Sequence, residues 1–383
     1  MTRCRAVPSR SILRALVLPV VALICVLQAS AASAQWPRTV TDIAGREVDI
    51  PSKPQRILLA EGFQILALSF VSPDPVSLLA GWGGDLRTFD PATYALVRDR
   101  FPDIENVPTT GMGSGETFSL ERALALDPDL VVFSLWQARG NLAETAAPFE
   151  AAGIPVVFID FYLDPLANTL PSLDLLGRIL GEEQRAREYA AFYRERLDFV
   201  KKRLAAETVP RPKVLLHAFP EVWPCCWSAG GRGVGELIDL VGGRNIGAER
   251  FPSPNGGQLN LEVIIEEDPE VYIATGSSGT GPGVALGAGV TEDEARSDLA
   301  RVIGAPGLSS LSAVVEGRVH GLWNFFNGSP INILAVEVMA KWVHPELFGT
   351  LDPGKTLAEI NDRFSAVPFR GAFWVDLVPG AMP

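Results

Sequence analysis

The chain has 383 residues, with 33 Lys and Arg against 45 Asp and Glu and a formal net charge of −12. Its 47% apolar and 20% charged residues are the composition of a globular protein long enough for two domains. The acidic balance excludes nucleic acid and anionic membrane surfaces as natural partners.

Residues 1–34 differ from the rest. Arg3, Arg5, Arg10 and Arg14 form a basic front, Ala15 to Val26 an apolar run, and Ala32-Ser33-Ala34 a small-residue cleavage site. This is the pattern of a secretory signal peptide, cleaved near Ala34 to leave an exported protein. The run is shorter than the roughly 20 residues of a membrane span. Cys25 follows Ala22-Leu23-Ile24, without the small residue that normally precedes lipid attachment, so a lipoprotein is not expected. Without the four arginines, 29 of the 33 basic residues face all 45 acidic ones, a net charge of −16. Cys4 and Cys25 leave with the signal, and the remaining pair, Cys225 and Cys226, is adjacent. Export permits oxidation. The pair is either a vicinal disulfide fixing a tight turn or two reduced thiols in a loop.

Thr39 to Ile50 alternates apolar and polar residues around Ala44-Gly45, as a hairpin does. A strand at Ile57 to Ala60, a helix at Gly62 to Phe70, a strand at Val76 to Ala80, a helix at Pro91 to Arg100 and a strand at Val107 to Gly111 follow. FSLERALALDPDLVVFS (118–134) then predicts a short helix opened by Ser119, an Asp-Pro turn and a buried strand. Leu142 to Ala152 reads as a helix and Ile154 to Ile159 as a strand. This alternation argues for a largely parallel sheet covered on both faces. Leu170 to Leu180 and Glu182 to Leu204 are helical. The second has an apolar stripe at Tyr189, Phe192, Tyr193, Leu197, Val200 and Leu204 and is long enough to cross between lobes. A second α/β series runs through a strand at Val214 to Ala218, a helix at Gly235 to Val241, a helix around Glu292 to Val302, a strand at Arg318 to Leu322, and helices at 330–343 and 356–364. Within it, LNLEVIIEEDPEVYIAT (259–275) aligns without a gap to 118–134, pairing Glu121 with Glu262 and Asp127-Pro128 with Asp268-Pro269. Two copies of one helix–strand unit suggest two lobes of similar build.

The order and spacing of TDIAGREVDIPSKPQRIL, FSLERALALDPDLVV, LGRILGEEQRAREYAAFY, GELIDLVGGRNI, LNLEVIIEEDPEVYIATG and AVEVMAKWVHPELFGTLDP carry a resemblance from about Thr39 to Leu377. Through them the chain resembles the periplasmic substrate-binding proteins of iron-complex (siderophore, haem, cobalamin) ABC importers. The resemblance implies two α/β lobes joined by a single long connecting helix, with a ligand cleft between the lobes. The expected division is 1–34 signal peptide, 35–180 N-terminal lobe, 181–210 connecting helix and 211–383 C-terminal lobe. It also implies that Glu121 and Glu262 pair with arginines of the inner-membrane permease, although an acid in a helix's first turn also stabilises the helix dipole on its own account. A monomer is expected.

Ligands of open α/β sheets bind beyond the carboxyl ends of the strands. Five of the eight tryptophans fall in the loops there: Trp82, Trp136, Trp223, Trp227 and Trp323. With Tyr162 and Phe325 they suit a large, flat, partly apolar ligand. Arg87, Arg139 and Arg232 in the same loops suit an anion, Arg232 beside a helix amino terminus. A bare metal ion is disfavoured because only His217, His320 and His344 exist, of which His217, ending a strand at the cleft, is the one expected to touch ligand. No cofactor is expected, the ligand being an iron chelate of ferric-siderophore type. An oxyanion such as molybdate or tungstate, haem and cobalamin are the alternatives. A periplasmic hydrolase is the rival of another class, but there is no Gly-x-Ser-x-Gly elbow or HExxH site, and Ser114 in GMGSGE has no histidine in its lobe. No catalytic residue and no metal ligand is therefore assigned.

Overall fold

The expected hairpin is present, β1 (Arg38–Thr41) against β2 (Glu47–Ile50). The computed structural model describes residues 1–2, 36–111, 118–138, 140–279 and 281–377. The expected signal segment from Arg3 to Ala34, Ser114 and Arg139 lie outside the described residues.

The first lobe is built on an all-parallel sheet of β3 (Ile57–Leu59), β4 (Leu79–Trp82), β5 (Leu130–Ser134) and β6 (Val156–Ile159), in the order β4-β3-β5-β6. Every residue of β5 and β6 is buried, as an uninterrupted apolar run requires when both faces are covered. Two expected strands are corrected. Val76–Leu78 forms a 3-10 turn, and the strand begins only at Leu79, because Pro75 and an Asp74 carboxylate accepting the Ser77 amide hold the chain in a turn. Val107 to Gly111 makes one bridge, Thr109 to Trp82, since Pro108 has no N–H for a ladder. The helix expected from Leu170 starts at Pro165, which occupies the first helical turn where its missing N–H costs nothing, and ends at Gly181 with φ +70°.

Helix Glu183–Ala205 then connects the lobes, about 35 Å long. Its stripe of Tyr189, Phe192, Tyr193, Leu197 and Val200 is buried. The two tyrosine hydroxyls donate to the Pro330 carbonyl at 2.7 Å and the Asn332 side-chain oxygen at 2.9 Å. The second lobe continues with β7 (Lys213–Ala218), β8 (Trp227–Ser228), β9 (Arg244–Asn245), β10 (Gly257–Gln258), β11 (Val271–Gly276), β12 (Gly287–Ala288), β13 (Val319–Trp323), β14 (Gly371–Ala372) and β15 (Trp374–Asp376). Strands β7, β11 and β13 are parallel neighbours, and β8 with β10 and β15 add antiparallel edges. The mixed edges are where this lobe departs from the expected parallel sheet.

The sequence repeat is a structural repeat. Helices Leu120–Ala125 and Leu261–Glu267 lead into β5 and β11. Asp127 and Asp268 both sit in the left-handed region, at φ +49° and +46°, which aspartate tolerates better than most residues. The caps differ: Ser119 accepts the Arg122 amide at 3.3 Å, whereas Asn260 makes no side-chain cap bond.

The lobes are also tied beyond the connecting helix. Asp90, fully buried in the first lobe, accepts the Trp323 indole N–H at 2.7 Å and the Ser278 hydroxyl at 2.6 Å from the second. Such a joint holds the lobes to each other at a second point besides the connecting helix. Among the described residues no helix is long and apolar enough to cross a membrane.

Candidate functional site

The first sheet's order reverses between β3 and β5, and the crevice at such a switch point is where α/β sheets take ligands. A cavity of about 470 Å³ opens there, between the lobes. Its aromatic walls are Phe63, Phe89, Trp136 and Tyr162 from the first lobe and Trp223 and Phe325 from the second. Phe63 and Phe325 stack across the divide with ring centroids 4.2 Å apart. Asn255, Asn324 and Asn327 add amides, and the Tyr162 hydroxyl donates to the Asn255 side-chain oxygen at 2.8 Å.

Two carboxylates, Glu61 and Asp85, complete the lining. Glu61 Oε2, just past β3, accepts the Ser134 hydroxyl, the Gln64 amide at 2.9 Å and the Trp136 indole N–H at 3.1 Å. All three donors aim at one oxygen, so the second is left for the cavity. Asp85 Oδ1 and Oδ2 accept the Gly62 and Phe63 amides at 2.7 and 3.2 Å. That close approach needs glycine at 62, since a Cβ there would meet the Gly83 carbonyl oxygen at 2.2 Å. Burial raises both carboxyls above their ordinary values. The hydrogen bonds to Glu61 oppose its rise, and the neighbouring Glu61 charge adds to Asp85's, which reaches about 7. Burial also raises the Tyr162 phenol.

Of the residues singled out by sequence, Trp136, Tyr162, Trp223 and Phe325 are brought together on this cavity. Trp227 stands behind Trp223, ring centroids 5.6 Å apart, and donates its N–H to the Asn255 carbonyl at 2.9 Å. Trp82 and Trp323 do not line it. Both are fully buried, Trp82 stacked on Tyr94 and Trp323 tied to Asp90 and packed edge-on behind Phe325. The arginines are also placed elsewhere. Arg87 bonds and stacks on Tyr94, and Arg232 is held by the Asp164 carboxylate. Arg139 lies outside the described residues, and none of the described lining residues is basic. His217 is buried within β7, opposite Ser228 of β8 and not at the cavity, with Nδ1 2.8 Å from the Tyr272 hydroxyl. Burial pushes its imidazole down to about 4. Cys225 and Cys226 are joined as a vicinal disulfide in the loop between Trp223 and Trp227.

Glu61, Asp85, Phe63 and Phe89 were not singled out. Glu61-Gly62-Phe63 belongs to one of the strand-end loops, but a lone acid in a loop reads as solvated. Only the glycines at 62 and 83, which let backbone amides converge on Asp85, hinted otherwise.

Fold and cavity together define a two-lobed solute-binding protein. A sequence profile described as periplasmic binding protein matches residues 70–323. The chain belongs to this family. It is similar to the solved TroA-like periplasmic binding protein FepB of Veillonella parvula, with 25% identity and a TM-score of 0.79 over 89% of this chain and all of that one. The molybdate-bound MolA of Haemophilus influenzae shares the fold, with 18% identity and a TM-score of 0.64 over 85% of this chain and 97% of that one. A curated relative named cobalamin-binding protein, from Halobacterium salinarum, is 27% identical over 168 residues, 42% of this chain. The chain spans about two fifths (41%) of the length of the curated relatives it matches.

Proposed function

We propose that this protein is the periplasmic receptor of an ABC importer and that its cavity takes a metal chelate carrying no net negative charge, a ferric siderophore-type complex first among them. The observation that carries the charge assignment is the lining itself: aromatic walls around Glu61 and Asp85, with no basic side chain among the described lining residues. A negative charge seated 5 Å from an ionised carboxylate would cost about 3 kcal/mol at an effective dielectric of 20, and a positive one would gain as much. The aromatic faces match a flat or partly apolar chelate, and the asparagines match its amide and hydroxyl groups.

A corrinoid is the second reading, favoured by the similarity to the protein named for binding cobalamin. An oxyanion fits less well, because Arg87 and Arg232 are paired away from the cavity. Delivery to a permease rests on Glu121 and Glu262. Both are exposed in the first turn of their helices, beside the exposed apolar side chains of Leu120 and Ile265. Matched carboxylates on two lobes orient one protein on another.

Trp136 and Trp223 line the cavity, so intrinsic fluorescence reports its occupation. The exported chain should show saturable quenching with a cationic ferric hydroxamate, or with a cobalamin if the second reading holds. Saturation by an anionic ferric catecholate, haem or molybdate alone would overturn the charge assignment.

A further inference from the structure

Outside the cavity, one cluster of ligating atoms has no use in solute capture. Strand β8 lies antiparallel to β7 with Ser228 opposite His217, and this register carries the preceding Cys225-Cys226 pair over the histidine. The backbone of Cys226 exchanges two 2.9 Å hydrogen bonds with Leu259, and the Cys225 carbonyl accepts the Gln258 amide at 2.6 Å, so the pair is held in place from its other side. The two sulfurs and a His217 ring nitrogen all lie within 4.8 Å of one another. His217 is only 3% exposed, and its Nε2 is buried with no hydrogen-bond partner among the described residues. The Tyr272 hydroxyl at Nδ1 fixes the ring. With the proton on Nδ1 and given to the Tyr272 oxygen, Nε2 presents a lone pair, and metal-bound histidines likewise donate their second ring N–H to a fixed oxygen acceptor.

We propose that Cys225, Cys226 and His217 form a redox-gated site for a thiophilic d10 metal ion, Zn2+ or Cu+. In the disulfide form the sulfurs are bonded to each other and the site is closed. A dithiol reductant opens it by thiol–disulfide exchange: its two S–H groups become one S–S bond, the Cys225–Cys226 bond breaks, and both cysteines leave as thiols. Metal binding then displaces the two thiol protons and adds the Nε2 lone pair, with no change in the metal's oxidation state. Two thiolates and one imidazole suit such ions. Cys225 is exposed, which gives the ion an entry path and leaves one coordination position open to solvent. The loop that would bear the metal is the one between Trp223 and Trp227, so loading this site touches the wall of the cavity without belonging to it.

The exported chain is reduced with a phosphine, freed of reductant under argon and titrated with Cd2+ alone, following ultraviolet thiolate-to-metal absorption. One equivalent per chain with a two-sulfur band is expected, and none from the oxidised chain. Cys225→Ser, at an exposed position, should lose at least half of that band. His217→Gln should keep it but weaken affinity by about tenfold or more. No band in the reduced wild type, or unchanged affinity in His217→Gln with an intact band, would overturn the assignment. The readout is the metal–sulfur bond and does not depend on the identity of the cavity's solute.

Discussion

Replacing Asp85 by Asn separates the charge of the cavity floor from its shape. Asp85 is 5% exposed and accepts two backbone amides, and burial with Glu61 beside it lifts its carboxyl from 3.8 to about 7. A folded-state value above the unfolded one means that the folded chain keeps a proton the unfolded chain has released. Ionisation therefore penalises folding progressively above pH 3.8, and the penalty stops growing above about pH 7. At about 1.4 kcal/mol per pH unit the interval comes to about 4 kcal/mol at pH 8. Asn escapes this but turns an NH2 group toward one of the two amide donors, a cost of about 1–3 kcal/mol at every pH. Asp85→Asn should thus stabilise the unliganded protein by roughly 1–3 kcal/mol at pH 8 and destabilise it by a similar amount at pH 4. Urea titrations at both pH values read this directly, through the midpoint at constant m-value. Equal destabilisation at both would refute the reasoning, because Asp85 would then be an ordinary hydrogen-bonded carboxylate with no buried charge to relieve.

Three other outcomes are expected. Affinity for a cationic chelate should rise as pH increases from 5.5 to 7.5, by up to about tenfold per unit if one proton is released on binding; calorimetry showing no pH dependence would count against the acidic floor. Trp323→Phe removes the second lobe's indole donor from the buried Asp90 carboxylate, and should cost about 1–3 kcal/mol in urea unfolding. A change below about 0.5 kcal/mol would show the joint to be idle. Glu121→Lys with Glu262→Lys should abolish uptake by vesicles carrying the cognate permease while leaving solute affinity within about twofold, as the two exposed sites lie away from the cavity.

Much of the fold was legible because its signals are local. The Asp-Pro turns of the repeat, the β-branched runs of β5 and β6 and the helix Glu183–Ala205 each declare themselves within a few turns of chain. Where two local rules competed, the strand lost, as at Val76–Leu78 to the Pro-Asp-Pro turn. The site was half legible. Aromatic residues in strand-end loops could be counted, and Trp136, Tyr162, Trp223 and Phe325 do meet. Which way a strand-end ring points depends on packing from distant elements, so Trp82 and Trp323 turned inward unannounced. Charge was the least legible property. Arg87 and Arg232 found partners 7 and 68 residues away, and Glu61 acquired its donors from Ser134 and Trp136 across the sheet. None of these pairings leaves a mark in spacing.

The most direct test is an anomalous difference map, recorded at the metal's absorption edge from crystals grown with the chelate that quenches fluorescence most tightly. A single peak bounded by Phe63, Trp136, Tyr162, Trp223 and Phe325, with the chelate's donors toward Glu61, is the predicted result. A peak outside that cavity, or one seated against Arg87 or Arg232, would contradict it.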